Sequence, residues 1–172
     1  MAAYREKYLQ QLQPVFINIA QQFLDIPRMQ LRMLCGWDVS QDFLQTLESD
    51  LHKDIRYGFT HSGPHRADFQ MLIEERLARQ YVSRGQLKLL VLALKLSQVK
   101  LLEMNSCRIG CILIDDMTSE LDPGNRAKLL KYLSDLQVQI FITATEFNEF
   151  GDLSRIQDYQ MFHVEHGNIN QA

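Results

Sequence analysis

Cys111-Ile112-Leu113-Ile114-Asp115-Asp116 is the stretch on which the fold turns: the end of a short apolar run (Ile109 to Ile114) that stops in two adjacent carboxylates. A run of that length between polar residues reads as a buried strand. Ionised groups at the edge of a core cost free energy unless they are paired. One explanation is local, since turns after strands favour Asp. The other is chemical. In nucleotide hydrolases the first carboxylate of such a pair holds Mg²⁺, usually through water, and the next orients or deprotonates the attacking water.

The flanks set the fold class. Ser83 to about Glu103 has helical spacing, and Asp122-Pro123 opens another helix that runs to about Leu136, with Asp as N-cap and Pro at the first helical position. Val138 to Thr143 is a second buried-strand run. Helix, strand, helix, strand predicts an α/β fold built on a mainly parallel sheet with crossover helices.

Further out, Leu9, Leu12, Phe16, Ile19, Phe23 and Leu24 recur at three- and four-residue spacing, an amphipathic helix that Pro14 is expected to kink or divide. A second helix is predicted from Ser40, as N-cap, through Phe43, Leu44, Leu47 and Leu51. Ile55–Phe59 reads as a strand, as do Phe69, Met71 and Ile73, which alternate with the residues between them. The polar turn His61-Ser62-Gly63-Pro64-His65-Arg66 separates the two. The tail reads as a hairpin turning at His166-Gly167.

Composition excludes several classes. The 172 residues are 46% hydrophobic and 23% charged, near the globular average, so the chain is neither a disordered tail nor a fibrous repeat. The longest apolar run, Leu89 to Leu94, is too short to span a bilayer, and no signal-peptide pattern opens the sequence, so a cytoplasmic chain without membrane contact is expected. Cys35, Cys107 and Cys111 are too few for a disulfide framework, and no His or further Cys lies near the last two to complete a zinc set. The net charge of −3 conceals a division. Residues 76–108 hold seven basic groups against one acidic, and residues 109–172 hold four basic against ten acidic. Arg84, Lys88 and Lys95 fall within ~40° on a helical wheel, a basic seam on a leucine-rich helix. The seam suits phosphates or DNA, or equally a salt-bridged helix face.

Two more motifs accompany the carboxylates. Ser83-Arg84-Gly85-Gln86 is a capping box at a helix start. The same geometry, with a Gly that lets a ligand approach closely, is an anion site suited to phosphate. Ser119-Glu120-Leu121-Asp122 precedes the Asp122-Pro123 helix and reads locally as a loop with an N-cap.

In this order, Ser-Arg-Gly-Gln, then apolar strand with Asp-Asp, then Ser-Glu-Leu-Asp, the three motifs resemble the signature, Walker B and D-loop of ABC-type ATPases. The segment Gly58-Phe-Thr-His-Ser-Gly-Pro-His-Arg-Ala-Asp68 and the Leu-Lys-Leu-Leu after the signature narrow the resemblance to the RecF-like, SMC-related recombination-repair ATPases, over essentially the whole chain. The resemblance implies an ABC/SMC-type head, with Asp115 at the Mg²⁺-associated position and Asp116 as catalytic base. It implies that Ser83, Arg84, Gly85 and Gln86 meet the γ-phosphate of ATP held by a second subunit, and that Ser119, Glu120, Leu121 and Asp122 lie along the dimer interface. His65 and Arg66, with Lys88 and Lys95, are candidate phosphate or DNA contacts, although a purely structural turn also accounts for His65 and Arg66.

The departures are specific. ABC-type ATPases usually carry a His after the strand that follows Walker B, whereas this strand ends Ile142-Thr143-Ala144-Thr145; Thr143 and Thr145 are the candidate γ-phosphate sensors. No Gly-x-x-x-x-Gly-Lys-Ser/Thr occurs anywhere. The nearest spacing, Gly58 to Gly63, is followed by Pro64 and His65, which lack the amide, ammonium and hydroxyl that a phosphate loop needs. The chain is therefore expected to be the carboxy-terminal portion of such an ATPase without the P-loop half. Residues 1–54 form a helical segment of lobe II in this reading, and 55–172 the signature and Walker B portion of the head.

By the same resemblance the parent is an ATP-gated clamp. It dimerises head to head on ATP, binds duplex DNA near single-strand gaps, and works with RecO and RecR to load RecA in DNA repair and the SOS response. The chain alone is not expected to hydrolyse ATP. The alternatives are a catalytically inactive DNA- or partner-binding module and a truncated-gene product.

Overall fold

A computed structural model describes residues 2–105, 110–117, 121–136, 138–146, 150–151, 153, 156 and 158–171. The chain divides into two compact units, Met1–Arg108 and Ile109–Ala172.

In the first unit, α1 (Ala2–Phe23) runs without interruption through Pro14, so Pro14 does not divide it. Pro14 is exposed, where losing one helical hydrogen bond costs least. The opposite face buries Leu12, Phe16, Ile19, Ala20 and Phe23. Strand β1 (Met29–Leu34) follows and pairs antiparallel with β2 (Asp68–Ile73), with Met29 opposite Ile73 and Leu34 opposite Asp68. The span read as helical, 1–54, thus also holds a strand. Strand β3 (Arg76–Leu77) closes the sheet through a two-residue turn in which Glu74 and Glu75 both have positive φ. Such turns favour Asn or Gly, which is why Glu-Glu does not advertise one.

Helix α2 (Phe43–Tyr57) contradicts two expectations. Its N-cap is Asp42, not Ser40, and Ile55–Tyr57 belong to the helix rather than to a strand. Ile55 continues the helical spacing of Leu44, Leu47 and Leu51, and the helix stops where Gly58 takes φ +74° and donates to the Asp54 carbonyl. The cluster Ile-Arg-Tyr-Gly-Phe imitates a strand only in composition. After α3 (Ala78–Tyr81), α4 (Arg84–Met104) packs against α1 and buries Leu89, Leu90, Ala93, Leu96 and Leu101.

In the second unit, β4 (Cys111–Ile114) pairs parallel with β5 (Gln139–Ile142), Ile114 opposite Ile142. Between them in sequence lies α5 (Pro123–Ser134), whose Leu129, Leu130 and Leu133 are buried together with Met117. The expected helix–strand–helix–strand order with a parallel pair is present. The strands are less buried than expected: Leu113 is 73% and Phe141 50% exposed. Parallel strands ordinarily have both faces covered. Here the second unit's described residues leave one face open. Strands β6 (Phe162–Glu165) and β7 (Asn168–Gln171) form the expected hairpin, with positive φ at His166 and Gly167. No described helix is long and apolar enough to cross a membrane.

Candidate functional site

The in-register pairing of β4 with β5 brings the residues that follow Ile114 and Ile142 side by side at the carboxyl ends of the strands. Thr143 joins them. Its hydroxyl donates to Asp115 Oδ1 at 2.5 Å and accepts from the Asp116 backbone N–H at 2.9 Å. The Thr143 N–H donates to the Ile114 carbonyl at 2.9 Å, and the Met117 N–H donates to the Thr143 carbonyl at 3.3 Å. Asp116 has φ +47°, a left-handed conformation that costs a non-glycine residue roughly 1–2 kcal/mol. Both aspartates are exposed while Met117 is buried, so the chain turns sharply back into the core after presenting two carboxylates.

The carboxyl ends of parallel strands are where α/β sheets bind ligands. Two adjacent carboxylates are hard oxygen donors that suit Mg²⁺, a cation that usually keeps several waters and takes only one or two protein carboxylates. Among the described residues there is no cluster of three or more His, Cys, Asp or Glu able to hold a metal. Thr145, two residues beyond Thr143, is exposed.

Asp122 caps α5. One carboxylate oxygen accepts from the Asn125 N–H at 3.1 Å and the other from the Asn125 side-chain amide at 2.6 Å. The Asn125 backbone bond, then its side-chain bond, hold the Asp122 carboxyl below the usual range. The Leu121 carbonyl accepts from Arg126 Nε at 2.8 Å. Ser119 and Glu120 lie outside the described residues.

At the start of α4 the capping box is complete. Ser83 Oγ accepts from the Gln86 N–H at 3.2 Å, and Gln86 Oε1 accepts from the Ser83 N–H at 2.9 Å. Ser83, Arg84 and Gly85 are exposed, Gln86 half-buried, and Lys88 and Lys95 exposed further along. A Cβ placed on Gly85 would meet nothing within 4 Å. Glycine inside a helix costs about 0.5–1 kcal/mol relative to Ala, and the described neighbours supply no steric reason for it.

His65 and Arg66 sit in a short 3-10 turn, Pro64–Arg66, and are exposed. His65 Nε2 donates to the Thr60 carbonyl at 2.9 Å, and Arg5 Nη1 donates to the Pro64 carbonyl at 2.6 Å. Gly63 packs directly on Gly36, where a Cβ would lie 2.4 Å from the Gly63 carbonyl oxygen. Sequence reasoning missed the pairs that anchor this turn to α2. His61 Nδ1 donates to Asp54 Oδ1 at 2.7 Å, and Ser62 Oγ donates to Asp50 Oδ2 at 2.5 Å. The His61 side-chain bond holds the Asp54 carboxyl below its ordinary range. Asp50 and Asp54, one helical turn apart just before Gly58, were the available signal.

No protein-family model matches the chain. In Shewanella oneidensis, the DNA replication and repair protein RecF is 40% identical to it over 165 residues, 96% of this chain. Along nearly its whole length the chain is similar to RecF. RecF of Pseudomonas aeruginosa is 39% identical over 173 residues, and RecF of Idiomarina loihiensis 41% over 154. The chain spans about half the length of these relatives, 46% of the Shewanella oneidensis protein. Two solved structures share the fold. The recombination mediator protein RecF with ATPrS, from the RecFOR pathway, superposes with a TM-score of 0.72 at 24% identity, covering 98% of this chain and 45% of its own. The ATP form superposes with 0.67 at 25% identity, covering 99% and 46%. The α/β architecture is therefore that of part of a RecF ATPase head, consistent with its carboxy-terminal portion.

Proposed function

We propose that this chain supplies the signature and Walker B portion of a RecF-type, ATP-dependent DNA-repair clamp. The observation that carries the reading is the meeting of Asp115, Asp116 and Thr143 at the ends of a parallel strand pair, in a chain that matches RecF along its length. Asp115 would hold Mg²⁺, through water; the ion supplies charge neutralisation on the phosphates. The Asp116 carboxylate accepts the proton of the water that attacks the γ-phosphate. Ser83 to Gln86 present the start of α4 to the ATP of a second head, where the helix dipole and free N–H groups favour an anion. Leu121 and Asp122, with Ser119 and Glu120, belong to the interface between heads.

Further assignments belong to the same proposal. Residues 1–54 serve lobe II and 55–172 the head. Two heads close on duplex DNA at single-strand gaps in an ATP-dependent dimer. Likeness to a protein of the RecFOR pathway supports RecO- and RecR-type mediators as partners, and RecA loading, the SOS response and a cytoplasmic setting are proposed with them from the family resemblance. His65, Arg66, Lys88 and Lys95 are the candidate phosphate or DNA contacts, and Thr143 and Thr145 the candidate sensors.

The test is complementation. Mixed with the P-loop-bearing portion of a RecF relative, the chain hydrolyses ATP, and Asp116→Asn lowers the rate by about 10²–10⁴, the size of a general-base contribution. Unchanged hydrolysis in that variant removes the assignment. The second reading is a DNA- or partner-binding module without catalysis. That reading requires DNA retention without ATP, falling steeply with salt.

A further inference from the structure

We infer that Thr143 positions the Asp115–Asp116 pair, rather than reading the γ-phosphate itself; the inference rests on the proposed ATPase role of those carboxylates. A threonine hydroxyl has one proton to donate. In Thr143 that proton is committed to Asp115 Oδ1, and the hydroxyl oxygen accepts from the Asp116 N–H. The backbone of Thr143 is committed as well, its N–H to Ile114 and its carbonyl to Met117. Every polar group of this residue therefore addresses the segment Ile114–Met117, from a position 28 residues beyond Asp115 in the chain.

The clamp acts on both carboxylates by different routes. Asp115 is held through its side chain, and Asp116 through its backbone, in the left-handed conformation that aims the second carboxylate. Asp115 is exposed, so packing does not fix its carboxylate, which without such a clamp would sample several rotamers. Misplacement of a catalytic group by about 1 Å can cost on the order of 10² in rate, so a residue that never touches the substrate can still govern turnover.

The test compares the chain with its Thr143→Val and Thr143→Ser variants. Without nucleotide, amide hydrogen exchange read by NMR shows the Asp116 N–H exchanging about three- to tenfold faster in T143V, the loss of one ordinary hydrogen bond. T143S restores it. The Ile112 and Ile140 amides report strand pairing. If they also speed up in T143V, Thr143→Ala removes the hydroxyl without the branched side chain and replaces it in the comparison. Asp116 exchange unchanged in a variant that keeps its strands overturns the inference.

With ATP and the P-loop-bearing portion of a RecF relative, T143V lowers kcat roughly 10–100-fold with KM within about twofold, and T143S recovers it. A raised KM with kcat preserved overturns the inference, because it places Thr143 on the nucleotide. If the wild-type mixture shows no hydrolysis, the proposed function fails, while the Asp116 amide still decides whether Thr143 holds the pair.

Discussion

The start of α4 and the ends of β4 and β5 carry the two main motifs, and they are built in opposite ways. At Ser83–Gln86 the two capping bonds close within three residues: hydroxyl to amide one way, side-chain carbonyl to amide the other. At Asp115–Asp116 the stabilising groups come from Thr143, just past the end of a different strand. The helix behind the first motif is anchored by Leu89, Leu90 and Ala93 in the core, whereas the strand behind the second leaves Leu113 largely in solvent. A local motif tolerates the loss of distant contacts. A motif assembled from two strands is only as well defined as their pairing, which makes the carboxylate end the more sensitive of the two.

The largest expected effect separates the motifs by chemistry. Asp116→Asn costs about 10²–10⁴ in complemented ATPase rate, and circular dichroism of the variant stays unchanged because Asp116 is exposed. Next comes packing. Leu90→Ala lowers unfolding free energy by about 2–5 kcal/mol, since Leu90 is fully buried. Leu113→Ala changes it by no more than about 0.5 kcal/mol. Urea denaturation checks both, and equal costs would mean that the outer face of β4 is covered after all.

A smaller effect tests the local motif. Ser83→Ala removes half of the capping box and costs about 1 kcal/mol, seen in denaturation and as faster exchange of the Gln86 amide. The smallest effect distinguishes the two caps by pH. Asp122 has its carboxyl held below the ordinary 3.8 by the bonds from Asn125. Its contribution is complete above that ordinary value and is lost as pH falls through the lowered folded value. Ser83 does not titrate. Between pH 6 and pH 3, Asp122→Asn should therefore flatten part of the acid loss in melting temperature, and Ser83→Ala should leave that slope as it is.

Much of the fold was legible because its signals are short. The capping box at Ser83, the Asp122-Pro123 start of α5 and the His166-Gly167 turn each depend on residues at most a few positions apart, and each appears as expected. Failures came where a short signal had two outcomes. Ile55-Arg56-Tyr57 has strand composition, but its place in a helix launched from Asp42 and stopped at Gly58 prevailed. Met29 to Leu34 alternates apolar and polar residues through Met33, yet without its partner β2 that pattern did not stand out. The Glu74-Glu75 turn lacks the residues that mark such turns.

The candidate site divides along the same line. The residues that end β4 in two carboxylates, and those that cap α4 and α5, are readable from the chain because hydrogen bonds to neighbouring amides leave a compositional trace. Tertiary structure decided that Thr143 grips both Asp115 and Asp116, that His61 and Ser62 bind back to Asp54 and Asp50, and that the described residues leave one face of β4 open. The first of these depends on the pairing of two strands, the second on a helix end turning back on its own loop, and the third on what packs against a sheet. Strand pairing and face covering are set by residues dozens of positions away, and no local pattern in the sequence records them.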